Sequence, residues 1–186
     1  MNLTERVKNI LLQPVQEWRV IDQEPGSVSE LYKSYIVPLA AIGPVASIIG
    51  LPVIVGDRVP LAAVVAHAFV SFILSLASTY VCALIINALA PTFQGTKNDF
   101  QALKVAAYSA TPAWLAGIFN LIPALSFLQV LGLYSLYVLY TGLPPLMQAP
   151  QEKALPYTVV VILASIVIFA VIGAFSSCLL FRSGST

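Results

Sequence analysis

The chain has 186 residues, of which 59% are hydrophobic and 9% charged, with a net charge of +1. A soluble globular domain carries about 25% charged residues, so these values exclude a water-soluble fold and show no nucleic-acid footprint. Mean hydropathy is +0.89, and one charge-poor stretch follows another, so the natural solvent is a bilayer and no room remains for a soluble enzyme domain.

Residues 1–30 form a polar N-terminal segment. Glu5, Arg6, Lys8, Glu17, Arg19, Asp22, Glu24 and Glu30 interrupt any apolar core there, so a cleaved signal peptide is not expected and the first span should act as an uncleaved anchor. In LTERVKNILL (3–12), Leu3, Val7, Ile10 and Leu11 share one helical face, while Glu5, Arg6 and Lys8 lie elsewhere. This predicts a short amphipathic helix, resting either on the membrane surface or on the protein's own cytoplasmic face. Pro14 stops it, Trp18 follows, and Pro25–Gly26 reads as a turn.

The expected fold is all-α: a polytopic membrane helical bundle with five transmembrane helices in a domain over 31–181. The spans are placed at 31–51, 61–90, 101–123, 124–142 and 157–180, with a tail at 182–186. Pro38, Gly43, Pro44, Gly50 and Pro52 interrupt the first span, and prolines there require kinks. The connections are GDRVP (56–60), PTFQGTKNDF (91–100), an uncharged turn marked by Asn120, Pro123 and Ser126, and PPLMQAPQEKALP (144–156). The boundary between the third and fourth spans admits a second arrangement over 101–142, one crossing plus a re-entrant segment. With five spans, Arg6, Lys8, Arg19, Lys33, Lys97, Lys104 and Lys153 share one side, and Arg58 and Arg182 the other. The positive-inside rule then puts the N-terminus in the cytoplasm and the C-terminus across the membrane. Trp18, Tyr32, Tyr35, Tyr80, Trp114 and Tyr157 are candidate interfacial anchors.

Polar residues inside the apolar stretches are few. His67, Ser71, Ser75, Ser78 and Cys82 form one small and polar stripe on a helix. It reads as the lining of a polar path or as a helix–helix seam. Lys104, Tyr108 and Thr111 share a face of the third span. Lys104 either snorkels to the headgroups or meets an anion, with Asp99 the nearest carboxylate in sequence. Pro112 should bend the helix and offer the Tyr108 hydroxyl a freed carbonyl. Tyr134, Tyr137, Tyr140 and Thr141 mark the fourth span, and a polar core shared with Tyr108 is expected. Cys82 and Cys178 read as small packing residues, and zinc-type spacing is absent. No catalytic residues, metal site or cofactor are expected, because there is no intramembrane carboxylate pair, no serine–histidine pairing and no phosphate loop. No inverted repeat is visible, which weighs against the common secondary-transporter designs.

At KVAAYSATPAWL (104–115) and LGLYSLYVLYTGLPPLM (131–147) the sequence resembles the Yip family, the Ypt/Rab-interacting membrane proteins, in its bacterial branch. Pro14, Trp18, Ile21 and Glu24 ahead of the first span fit the family pattern. So do Tyr108, Ser109 and Pro112 at the third-span entry, and Tyr140 and Gly142 in the fourth. The resemblance implies five helices, a cytoplasmic N-terminus and a C-terminus on the far side. Eukaryotic relatives are linked to vesicle traffic, membrane shaping and Rab GTPase binding. Their acidic-Leu-Tyr-Gly-Pro motif is reduced here to Glu30, Leu31 and Tyr32, followed by Lys33 and Ser34, so a Rab-type GTPase is not an expected partner. The expected function is a non-enzymatic scaffold in a bacterial inner membrane, partnered by membrane lipids and by other membrane proteins or further copies of itself. The alternative is a transporter or channel for a small solute or ion. A water-filled cavity reaching His67 or Tyr108 from one side would favour transport, and a dry small-residue seam the scaffold.

Overall fold

The computed structural model describes residues 2–55 and 60–183. Expectations resting on Asp57 and Arg58, and on the side chains of Cys178 and Arg182, lie outside that description. Among the described residues every regular element is helical.

Helix α1 (Leu3–Leu12) begins at Asn2, whose side chain accepts from the Thr4 N–H at 3.4 Å, a favoured N-cap arrangement. Pro14 then opens α2 (Pro14–Gln23), at a position where a missing N–H costs nothing. One proline thus ends the first helix and starts the second, and the two pack as a hairpin. Ile10, Trp18 and Ile21 are fully buried, and Leu3, Val7 and Leu11 pack against the core. The N-terminal helix therefore lies on the protein itself, the second of the two placements open in the sequence.

Helices α3 (Val28–Leu31), α4 (Val37–Ala40) and α5 (Ile42–Val55) follow one another along an irregular path, with a π-turn over Tyr32–Ile36 and a break at Ala41. Pro38 and Pro44 explain both features, because each removes the N–H that its i−4 carbonyl needs. Helix α6 (Leu61–Leu89) continues into a 3-10 turn, Ala90–Phe93. At 1.5 Å per residue α6 alone reaches ~44 Å, well beyond the ~30 Å hydrocarbon core, so one end stands clear of it. Asn98 caps α7 (Asp99–Ser109) by accepting from the N–H groups of Phe100 and Gln101. Helix α8 (Thr111–Ala116) and 3-10 segments over Gly117–Leu121 and Pro123–Leu133 lead into α9 (Tyr134–Met147), and α10 (Gln151–Ser183) closes the chain.

Among the described residues four helical stretches are, by length and composition, able to cross a membrane: Val28–Gly50, Leu61–Phe93, Ala124–Met147 and Gln151–Ile168. The expected third span at 101–123 is not among them. It is split at Ala110, because Pro112 has no N–H to give the Tyr108 carbonyl. Two other boundaries move as well. Helix α9 runs through Pro144 and Pro145 to Met147, beyond the expected end at 142. Helix α10 starts at Gln151 rather than 157 and runs through Pro156.

The core gathers at one end of the bundle, here called proximal. There Thr96 N–H donates to Met147 O at 2.8 Å, and Gln101 Nε2 to Asp22 O at 3.2 Å. Ile86, Leu103, Val105, Leu143 and Met147 are buried beside Trp18. At the opposite, distal end Gly117 meets Gly43 backbone to backbone, a Cβ on Gly117 falling 2.8 Å from Gly43 Cα, the close approach small residues permit.

Tyr157 corrects an expectation. It was placed at the membrane boundary, but it is fully buried, stacks on Phe93 at 4.8 Å and donates to Ile86 O at 2.5 Å. Tyr157→Phe is therefore expected to cost about 1 kcal/mol of stability, read as a lower melting temperature of the purified protein. An unchanged melting curve would show that this bond contributes nothing.

Candidate functional site

The proximal end holds most of the buried charge. Phe100, Lys104 and Tyr108 recur at i, i+4 along α7 and so share one side of it, which faces the connection between α2 and α3. Lys104 is only 4% exposed. Its Nζ donates to Ile21 O at 2.8 Å, which also accepts from the Glu24 N–H, and to Glu24 O at 2.7 Å, so it closes the C-terminal end of α2. These carbonyls are also the negative end of that helix dipole. Lys104 thus neither snorkels nor meets Asp99, whose carboxylate instead accepts from Asn87 Nδ2. The Phe100 ring covers the ammonium at 4.8 Å.

Arg6 is 5% exposed and donates to Glu17 Oε1 at 2.5 Å and to both carboxylate oxygens of Glu24. Burial by itself weakens its hold on the proton. The hydrogen bond to Glu24 and the surrounding charges more than reverse this, and its pKa ends above the ordinary value. The guanidinium sits 5.5 Å over the Tyr108 ring. In sequence Arg6 lies off the apolar face of α1, and neither Arg6 nor Glu17 stands out as a site residue. Spacing held the signal: Arg6 falls between Leu3 and Ile10, and Glu17 between Pro14 and Ile21, at helical repeats of three to four.

Trp18, expected as an interfacial anchor, is instead a fully buried wedge. Its Nε1 donates at 3.2 Å to Val138 O and to Thr141 Oγ1, and its ring lies on Gly142, where a Cβ would come within 2.6 Å of it. Tyr108 packs edge-on against Trp18 at 6.1 Å and against Tyr35 at 4.5 Å. The Tyr35 and Thr111 hydroxyls share a hydrogen bond of 2.7 Å. The Tyr108 hydroxyl has no partner among the described residues; the helix break at Pro112 did not supply one. It opens into a cavity of about 560 Å³ lined by Arg6, Glu24, Glu30, Tyr35, Lys104 and Tyr108.

Much of the motif carrying the family resemblance therefore converges on one place: Trp18, Glu24, Tyr108 and Gly142 surround this end. Pro14 and Pro112 are buried at the starts of α2 and α8, and buried Ser109 donates to Ala106 O at 3.2 Å. Tyr140 is exposed. The expected tyrosine core does not form. Tyr134 and Tyr137 pack on each other at 5.4 Å, Tyr137 faces outward, and the Tyr134 hydroxyl donates to Leu11 O.

A second cavity, about 540 Å³, opens at the distal half and is lined by Ser47, His67, Ser71, Ser75, Trp114 and Asn120, among others. The α6 stripe divides there. His67, Ser71 and Ser75 line the space, with Trp114 Nε1 donating to Ser75 Oγ at 3.1 Å, while Ser78 turns back onto Ser75 O. Among the described residues no group of three or more His, Cys, Asp or Glu side chains is placed to hold a metal ion.

Comparison with known proteins adds three findings. A family model described as the Yip1 domain matches residues 8–172. Inner membrane protein YohC of Escherichia coli K12 is 26% identical over 163 residues, covering 82% of this chain and 84% of the relative. YohC of the O6:H1 strain CFT073 matches to the same extent. No solved structure matches the chain.

Proposed function

The chain belongs to the Yip1 domain family, and from that premise we propose that it is a non-enzymatic scaffold of a bacterial inner membrane, organising lipids or partner membrane proteins around its bundle. The inner-membrane placement draws on the Escherichia coli relative, an inner membrane protein. The observation that carries the scaffold reading is a set of buried, mutually bonded residues between the two cavity linings. Ile36, Leu39 and Thr111, lying in the chain between the proximal lining (Tyr35, Tyr108) and the distal lining (Ala40, Ala113), are all buried, and Tyr35 and Thr111 bond to each other. Each cavity reaches one of the residues named as a sign of transport, but the buried residues between them support a framework rather than a conduit. Outward apolar faces suit helix-to-lipid or helix-to-helix contact: Phe69 and Leu74 on α6, Leu163 and Val167 on α10.

The same reading takes the chain across the membrane five times, with the broken stretch 99–121 as the third crossing, sheltered by its neighbours. The proximal end then faces the cytoplasm, in line with the seven-to-two division of basic residues. Reporter fusions at the N-terminus and after Arg182 are expected on opposite sides. Both ends on one side would remove the five-crossing arrangement. For the scaffold itself, photocrosslinkers at Phe69 and Leu163 in living cells are expected to give discrete protein adducts, whereas one at buried Val105 gives none. If only lipid adducts form at both outward positions and the protein runs as a monomer, protein partners drop out. If lipid composition around the purified chain then also matches the bulk, the scaffold reading fails.

A further inference from the structure

The proximal cavity is built with donors on one wall and carboxylates on the other. On the donor wall, Tyr108 is 7% exposed, yet its hydroxyl has no partner among the described residues and is open to the cavity. Gln101 Oε1 is, by contrast, a sealed polar atom without a partner. An unpaired hydroxyl in a largely dry wall is costly unless something accepts from it. Lys104 Nζ carries three N–H donors, and protein carbonyls take two of them. At the mouth stand Glu24, whose two oxygens both accept from Arg6 but whose side chain is 37% exposed with lone pairs left over, and exposed Glu30.

We propose that this cavity holds a phosphoethanolamine group, with phosphate oxygens accepting from Tyr108 Oη and Lys104 Nζ and the ammonium donating to Glu24 and Glu30. Charge selects this class. Among the lining residues Arg6 and Lys104 stand against Glu24 and Glu30, two cations and two carboxylates, so a group with one charge of each sign is matched on both walls while a purely anionic one meets the carboxylates at the mouth. A quaternary ammonium has no N–H to give the carboxylates, whereas a primary ammonium has three. Leu3, Leu31 and Phe100 supply an apolar side for the carbons of the ligand. The group has two sources, a membrane phospholipid or a free phosphoethanolamine ester. The inference rests on the scaffold reading only in placing this end of the bundle at headgroup level.

The test uses the full chain, stripped of lipid in detergent and offered equal amounts of phosphatidylethanolamine, phosphatidylglycerol and phosphatidylcholine with the same acyl chains. Retained lipid is counted by native mass spectrometry. Phosphatidylethanolamine should be kept about tenfold over the other two, as expected for one or two charge-assisted bonds. Tyr108→Phe should remove most of that preference while melting with the wild type, since its hydroxyl has no internal bond to lose. Glu30→Gln, an exposed change, should weaken retention of phosphatidylethanolamine and strengthen that of phosphatidylglycerol. Soluble glycerophosphoethanolamine distinguishes the sources: displacement of the lipid, with binding in its absence, assigns a free ester, and failure to compete assigns the phospholipid. Equal retention of all three lipids without binding of the soluble ester overturns the proposal, as does an unaltered preference in Tyr108→Phe. Crosslinking from Phe69 and Leu163 reports on scaffolding separately, so the two ideas fail independently.

Discussion

Gly142→Val is expected to destabilise the protein by about 3 kcal/mol, at the upper end of overpacking costs, and to loosen the N-terminal hairpin. A Cβ at Gly142 lies 2.6 Å from Trp18 Cε2 and Cζ2 and 3.1 Å from Cδ2, closer than real contacts allow. The indole cannot yield, because it is rigid, fully buried and bonded through Nε1 to the backbone of the same helix. Helix propensity works the other way, since replacing glycine in a helix interior gains up to about 1 kcal/mol. The clash is larger, so destabilisation wins. Trp18→Ala should cost about 3–5 kcal/mol by leaving a cavity. In the double variant the valine enters the space left by the indole, so the combined loss should fall short of the sum by about 1–3 kcal/mol. Thermal melts in detergent measure these losses, and trypsin cleavage after Lys8 and Arg19 reports hairpin release. Wild-type melting and cleavage in Gly142→Val would contradict the packing of α2 on α9.

Arg6→Met is expected to cost about 3–5 kcal/mol, the range for removing one partner of a buried ion pair. Glu17 is 5% exposed and would be left as an isolated buried carboxylate. Glu24 suffers less, because its side chain is 37% exposed and can be solvated again. The double variant Arg6→Met/Glu17→Met should recover most of the loss, since apolar replacements of a buried pair are often neutral or better. Salt should alter the wild-type melting temperature little, because buried pairs are weakly screened. Chemical denaturation of the wild type, Arg6→Met, Glu17→Met and the double variant decides the matter. A double variant no better than Arg6→Met would mean that the charges do not face each other in the interior.

How the chain reads depends on the kind of force at each position. Apolar runs longer than a bilayer is thick announce membrane helices, and four stretches keep that promise. The third, over 101–123, does not, since Pro112 breaks it at Ala110 and its buried residues owe more to neighbouring helices than to local hydropathy. Tyr157 and Trp18 show the same limit. Aromatic residues near span ends suit a membrane boundary, yet both are sealed in the core by partners 71 and 120 positions away along the chain.

By themselves, composition and apolar run length determined the all-helical membrane class. The family resemblance brought out Trp18, Glu24, Tyr108 and Gly142, and helical spacing brought out Lys104 and Tyr108 as the polar pair of α7. Those signals are local, carried by neighbours along one helix or by the water-to-lipid transfer preference of a whole stretch. Only the tertiary structure decided that the N-terminal helices fold back onto the bundle and that Arg6 is buried on Glu17 and Glu24. It also decided that Lys104 closes the end of α2 and that the Tyr108 hydroxyl opens into a cavity. Each of these depends on which carbonyl, carboxylate or ring a distant helix presents. A charge or hydroxyl satisfied across helices has the same sequence neighbours as one left to solvent, so its fate is set by packing.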